Sequence, residues 1–368
     1  MITILQNDTQ IEFLSNLQDI RFRATTGKAQ VTITSRSSGA VVYDETLSST
    51  GTDFTLYDIP GLLDPYVYMM GPNESFNVHI EETDGSEADF VMRVVACKAE
   101  VGSFAEFANS HFLSLHNDNV RTAPGRREMI ALWKYAASGT IEVPTATVRA
   151  YFTDGTHQDT ALALSDGGGV GIKIDPVGAL TDSAHYYYCT LDIDDYVVEG
   201  KELYRMVVTC EGRTKEYVID AYHDNPDPVI LFSNSFNETE LFYCTGKVES
   251  APEYERTNVI INRQMQTARV RETRYWNADT GILRAGEEEW LLEMMRSNHV
   301  FVCRKNDEGK WAWWKRIVIT EQECLYTNED DNLPRYTFKY RLAQGNQIVP
   351  EMRIHPEIFT QTYTPTYE

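Results

Sequence analysis

The chain has no two cysteines spaced as CxxC, no apolar run of membrane length and no surplus of basic charge. Each absence closes off a class. The six cysteines, Cys97, Cys189, Cys210, Cys244, Cys303 and Cys324, are scattered, so neither a zinc ribbon nor a thioredoxin-like pair is expected. Most lie in strand-like runs such as VVAC, YYYC and LFYC, where a free thiol acts as a small buried hydrophobe. Nothing approaches the roughly 20 apolar residues of a membrane span. The start, MITILQNDTQIEF, lacks the basic region of a signal peptide, so cytoplasmic synthesis without an export signal is the expectation. With 33 Lys+Arg against 55 Asp+Glu, the net charge of −22 opposes wrapping nucleic acid or docking on an anionic membrane. It favours solubility and steering towards basic partners.

What is present is an internal echo. LQND at 5–8 returns as LHND at 115–118, RFRATTG at 21–27 as WKYAASG at 133–139, and RVVAC at 93–97 as RMVVTC at 205–210. VTITSRSSGAVVYDETL at 31–47 faces VRAYFTDGTHQDTALAL at 148–164, and Pro60-Gly61-Leu62-Leu63 faces Pro176-Val177-Gly178-Ala179-Leu180. Five fragments in one order predict a diverged duplication of one domain.

Residues 1–100 alternate apolar and polar in short runs, with turn signals about every ten residues, which predicts a sandwich, with a barrel as the alternative. GSFAEFANSHF at 102–112 reads as a short helix or connection, and 111–222 repeats the plan. HDNPDP at 223–228 marks a boundary, because its two prolines continue neither strand nor helix. Beyond it, strands surround one helix at about 286–297, with Glu287, Glu288 and Glu289 in its first turn and Trp290, Leu291, Met294 and Met295 as its apolar stripe. The expected fold is mainly β. Two tandem, diverged β-sandwich-like domains fill 1–100 and 101–222, the second with its connecting segment. An α+β domain with one clear helix follows at 223–349, and 350–368 form an extended arm.

Chemical motifs are weak. DGGGVG at 166–171 is glycine-rich, but GIKIDP after it reads as strand and not as the helix that a phosphate loop requires. It is expected to be a flexible loop. The acidic clusters Asp192, Asp194, Asp195, then Asp224, Asp227, then Asp330, Asp331 lack calcium-loop spacing and read as solvated loops. His111 and His116 are not at metal-helix spacing, and neither HExxH nor GxSxG occurs. No catalytic, cofactor-binding or metal-ligating residue is therefore singled out, and no cofactor is expected. Trp311, Trp313 and Trp314 are the candidate interaction surface. Alternation puts Trp311 and Trp313 on one face and Trp314 on the other, either stacking on a partner or packing under the 286–297 helix.

VILFSNSFNETELFYCTGKVE at 229–249, RETRYWNADTGILRAGEEEWLLEMMRSNHVFV at 271–302 and YTFKYRLAQGNQIV at 336–349 resemble structural proteins from the tail and virion modules of phages and prophages of Bacteroides-type bacteria. The resemblance covers mainly 229–349 and carries no catalytic motif. It implies a non-enzymatic part of a virion, in the tail, its hub or an adjoining ring. Its partners would be copies of itself and other virion proteins, with neither nucleic acid nor membrane. A carbohydrate-binding or adhesin module, with a glycan on the tryptophans, is the alternative, and a hydrolase with a spatially assembled carboxylate pair is a further one.

Overall fold

The computed structural model describes residues 1–8, 10–70, 73–137, 141–170, 183–220, 226–261, 263–284, 286–323 and 334–344. The fold is mainly β, with two tandem sandwiches followed by an α+β unit.

The first sandwich contains β1 (Thr3–Gln6), β2 (Ile11–Phe13), β3 (Ile20–Arg23), β4 (Lys28–Ser35), β5 (Val41–Ser48), β6 (Asp53–Leu56), helix α1 (Ile59–Met70), β7 (Asn73–Glu82) and β8 (Glu87–Val95). Its sheets run β1-β3-β6 and β2-β8-β7-β4-β5. Alternation decides which side chains face inward. Ala29, Val31 and Ile33 of β4, Phe76, Val78 and Ile80 of β7, and Phe22 and Phe54 of the smaller sheet share one buried core.

After helix α2 (Phe104–Ala108), the second sandwich contains β9 (Val120–Thr122), β10 (Arg127–Ala136), β11 (Ala146–Phe152), β12 (His157–Leu162), β13 (Ser165–Val170), β14 (Ser183–Asp192), β15 (Leu203–Cys210) and β16 (Arg213–Ile219). Its sheets run β10-β14-β13 and β12-β11-β15-β16-β9. Read from the other end, the larger sheet has the wiring of the first. Two hairpins lie side by side, and a short strand closes one edge in parallel, Ile11 against Arg93 in one unit and Val120 against Tyr217 in the other.

This equivalence corrects one echo. The fragments 31–47 and 148–164 occupy equivalent hairpins, β4–β5 and β11–β12. RVVAC lies on and just beyond β8, whereas RMVVTC lies on β15, the counterpart of β7. The match rested on a Val-Val pair, which falls on β8 in the first unit and on β15 in the second, although β16 holds the place of β8 there. The Pro60-Gly61-Leu62-Leu63 turn is also corrected, since it opens α1. Asp58 caps that helix through its Oδ1, which accepts the Gly61 N–H at 3.2 Å. A Cβ on residue 61 would collide with the Asp58 carboxylate, so glycine permits the cap. Pro176–Leu180 lie outside the described residues. DGGGVG is strand β13 as far as Val170, not a loop, and a side chain at Gly167 would run into the Tyr186 ring.

The third unit is a seven-stranded sheet, with β17 (Val229–Ser233), β18 (Thr239–Tyr243), β19 (Val248–Ile261), β20 (Gln264–Asp279), β21 (Val300–Lys305), β22 (Trp311–Glu323) and β23 (Thr337–Leu342) in the order β18-β17-β21-β22-β23-β20-β19. Helix α3 (Glu287–Arg296) buries Trp290, Leu291 and Met294 against Ile230, Phe232 and Phe338, with Met295 partly buried, as its stripe predicts. NADTG at 277–281 has the residues of a turn, yet β20 continues through it to Asp279.

Helix α2 sits where the units meet. Phe104, Phe107 and Ala108 share a core with Ile11, Phe13 and Val95 of the first sandwich, Trp133 and Ala184 of the second, and Phe236 of the third. The buried Arg213 guanidinium secures this junction, donating to the backbone carbonyls of Ala108, of His111 at 3.2 Å and of Trp133 at 3.0 Å. The C-terminal arm at 350–368 lies outside the described residues.

Candidate functional site

The three tryptophans of β22 do not form a shared platform. Trp311 donates its indole N–H to the Gly125 carbonyl at 3.1 Å and meets the Tyr243 ring edge-on at 6.5 Å, tying β22 to the second sandwich. Trp314 is the extra residue of a β-bulge, since Val302 pairs with Lys315 and Cys303 with Trp313. Its ring packs against the core that contains α3, with the Arg304 guanidinium 3.2 Å from the ring centroid. Trp313 alone is exposed, at 68%, with Phe301 as its aromatic neighbour. The ladder is regular from Trp311 to Trp313, so alternation does place them on one side; they differ because Gly125 of the second sandwich meets Trp311 and leaves Trp313 exposed, a contact that no local pattern could foresee.

Two of the acidic candidates have structural partners. Asp192 is held by Arg127 at 2.8 Å and Lys310 at 2.6 Å, and Asp194 accepts the Gly125 N–H at 2.7 Å. Asp224, Asp330 and Asp331 lie outside the described residues. Among the described residues, no group of three or more His, Cys, Asp or Glu is arranged to hold a metal ion. Cys97, Cys189, Cys210, Cys244 and Cys303 are buried free thiols, and burial pushes Cys97 up to about 11. Cys324 lies outside the described residues.

The sequence reading missed a cleft of about 270 Å³ between the second sandwich and the third unit. Phe112, Met129, Tyr186, Tyr188 and Lys215 of the second unit line it together with Glu238 and Glu240 of the third. Around it lies a buried charge cluster. Glu240 accepts the Trp290 indole N–H at 2.5 Å and lies 3.8 Å from the Lys215 ammonium. Glu238 accepts the Tyr186 hydroxyl at 2.5 Å, and Glu293 accepts the Ser235 N–H at 2.9 Å. Burial pushes Glu128, Glu238 and Glu293 each up to about 7. Burial also pulls His116, stacked on Trp290, down to about 4. Both cleft acids are thus already bonded to groups of the body. These residues stand far apart in sequence, and Lys215 shares with Arg213 and Tyr217 a strand face whose residue types do not read as buried. Only the packing of two units could bring them together.

The second missed feature is an arm. Among the described residues, β20 pairs with β23 only from Trp276 to Asp279, and from Gln264 to Tyr275 its one partner is β19. At roughly 3.4 Å per residue the hairpin projects about 40 Å. Every described side chain from Pro252 to Glu255, Arg256 to Ile260 and Arg263 to Arg271 is exposed. Its end carries apolar groups, with Ile260 73%, Met265 72% and Val270 46% exposed. The signal was legible as two runs, 257–262 and 267–276, which read as ordinary strands. Nothing in a sequence tells a hairpin covered by a core from one left bare.

No family model matches the chain, and no curated protein matches it. Among solved structures, it aligns with a chain described as a Ca2+-stabilized adhesin that helps an Antarctic bacterium reach out and bind ice. The identity is 12%, over 85% of this chain and 71% of that one, with a TM-score of 0.14. A superposition that poor carries no argument. Among the described residues, no helix is long and apolar enough to cross a membrane.

Proposed function

We propose that this chain is a non-enzymatic structural component of a phage or prophage particle, in the tail, its hub or an adjoining ring, which works by protein–protein assembly. The observation that supports this reading most is the bare hairpin β19–β20. A two-stranded ribbon is marginally stable by itself in water, and exposed apolar groups at the end of such a ribbon suit a protein contact. An arm of this kind makes sense when another chain covers it. Two sandwiches and an α+β unit, joined through α2, would supply a rigid body to carry it. The resemblance of 229–349 to virion proteins agrees with the same reading.

The test is light scattering and negative-stain microscopy of the purified chain, alone and co-expressed with the products of neighbouring genes. Closed rings or larger assemblies are expected. A monomer under every condition overturns the reading. The adhesin alternative has one supporting feature, the exposed Trp313. A glycan that shifts tryptophan emission in the wild type and not in Trp313→Ala would favour it.

A further inference from the structure

The arm differs from the chain that carries it in the sign of its charge. From Arg256 to Arg271 it has four arginines, at 256, 263, 269 and 271, and no Asp or Glu. That stretch is +4, so the remainder of the −22 chain is −26. An acidic body bearing a basic, apolar-tipped arm is complementary to another copy of itself. The same −26 would repel an anionic membrane or a nucleic acid as the arm approached it.

One acidic face stands out as the receiving surface. On the outer side of β5-β4-β7-β8, Asp44 lies across from Thr32, Thr32 from His79, and His79 from Asp89. In the next row, Glu81 and Glu87 stand directly opposite each other, both exposed. Like charges directly opposite on neighbouring strands are destabilising. Asp44 is bonded to Gln30 and Thr32, and Asp89 to His79. Glu81 and Glu87 have no hydrogen-bond or ion-pair partner among the described residues. Lys28 lies at the margin of this face, and Arg93 is buried at its far end. Residues 1–100 together hold fifteen Asp and Glu against six Lys and Arg. The face borders β5, an edge strand of its sheet with Val41 exposed at 55%.

We infer that the β19–β20 arm of one copy docks on the acidic β5-β4-β7-β8 face of a second copy, its arginines neutralising the Glu81–Glu87 pair. The inference rests on the assembly reading and specifies the two surfaces that meet. They are different surfaces, so the contact is head-to-tail. It closes into a ring or runs on as a filament.

The test is a charge swap on the full chain, followed by analytical ultracentrifugation. The arm variant combines Arg256→Glu, Arg263→Glu and Arg269→Glu, and the face variant combines Glu81→Lys and Glu87→Lys. Each alone is expected to weaken self-association by about tenfold or more, and mixing the two to restore it, because the steering is electrostatic. Raising the salt severalfold should weaken the wild type. Replacing 254–272 by a two-residue turn gives a second variant that should stay folded and monomeric. Wild-type assembly that survives both reversals overturns this pairing and leaves the assembly reading intact. A wild type that is monomeric both alone and with neighbouring gene products removes both. Two other outcomes also overturn the inference: arm-dependent binding to anionic phospholipid vesicles without self-association, or association only after residues 345–368 are removed, which would mean the chain covers its own arm.

Discussion

The Trp290 indole N–H bonds the Glu240 carboxylate at 2.5 Å, and through it helix α3 is coupled to the strand that lines the cleft. That carboxylate repels Glu128, Glu238 and Glu293, whose affinity for protons is already raised by burial. The folded state therefore holds protons on these groups that the unfolded chain has lost. Stability from them is full below the ordinary glutamate range and is lost as pH rises towards and through about 7. Thermal melts should show stability falling from about pH 5 to pH 8, by up to ~1.4 kcal/mol per pH unit for each group. His116, held down at about 4, works in the opposite sense and lowers stability as pH falls below its ordinary value. Glu238→Gln should flatten the alkaline side of the profile. An unchanged slope in that variant would show that Glu238 does not titrate in this range.

Arg213→Ala should be the costliest single polar change in the junction. It removes one buried guanidinium and leaves the carbonyls of Ala108, His111 and Trp133 without their donor. A loss of about 3 kcal/mol or more is expected in denaturant titration. Arg213→Lys should recover only part of it, since one ammonium cannot reproduce the planar fork that reaches the carbonyls of Ala108, His111 and Trp133 together.

Trp311 and Trp313 should separate cleanly. Trp313→Ala should change stability by less than about 0.5 kcal/mol, and Trp311→Ala should cost about 2 kcal/mol or more through its lost packing and its bond to Gly125. Acrylamide should quench Trp313 first. Equal stability losses in the two variants would contradict this placement.

The buried thiols make a chemical prediction. Cys97, Cys189, Cys210, Cys244 and Cys303 should resist a thiol reagent in the native protein and react once it is unfolded. Fast native labelling of any of them would show that its core opens.

The sequence carried the mainly β, sandwich-like fold and helix α3, because each depends on local periodicity. Val31 and Ile33 against Val148 and Ala150 reveal equivalent strands by alternation alone. The exchange of β7 for β8 in the repeat has a simple cause, since the Val-Val pair of β8 recurs on β15, the counterpart of β7, and not on β16. Helix α1 was hidden by Pro60 and Gly61, which read as a turn until Asp58 is seen to cap them. The cleft and the arm were hidden for opposite reasons. Lys215 and Glu240 come from distant parts of the chain to stand 3.8 Å apart, whereas the arm is defined by contacts it does not make among the described residues.

The short ladder at the root of the arm has a mechanical consequence. Trp276 to Asp279 of β20 pair with Tyr340 to Thr337 of β23, and these hydrogen bonds lie across the direction in which the hairpin points. A pull along the hairpin loads them together in shear, so they must fail at once. A sideways force opens them one after another, like a zipper. The hairpin is thus built to bear tension along its length and to yield to bending.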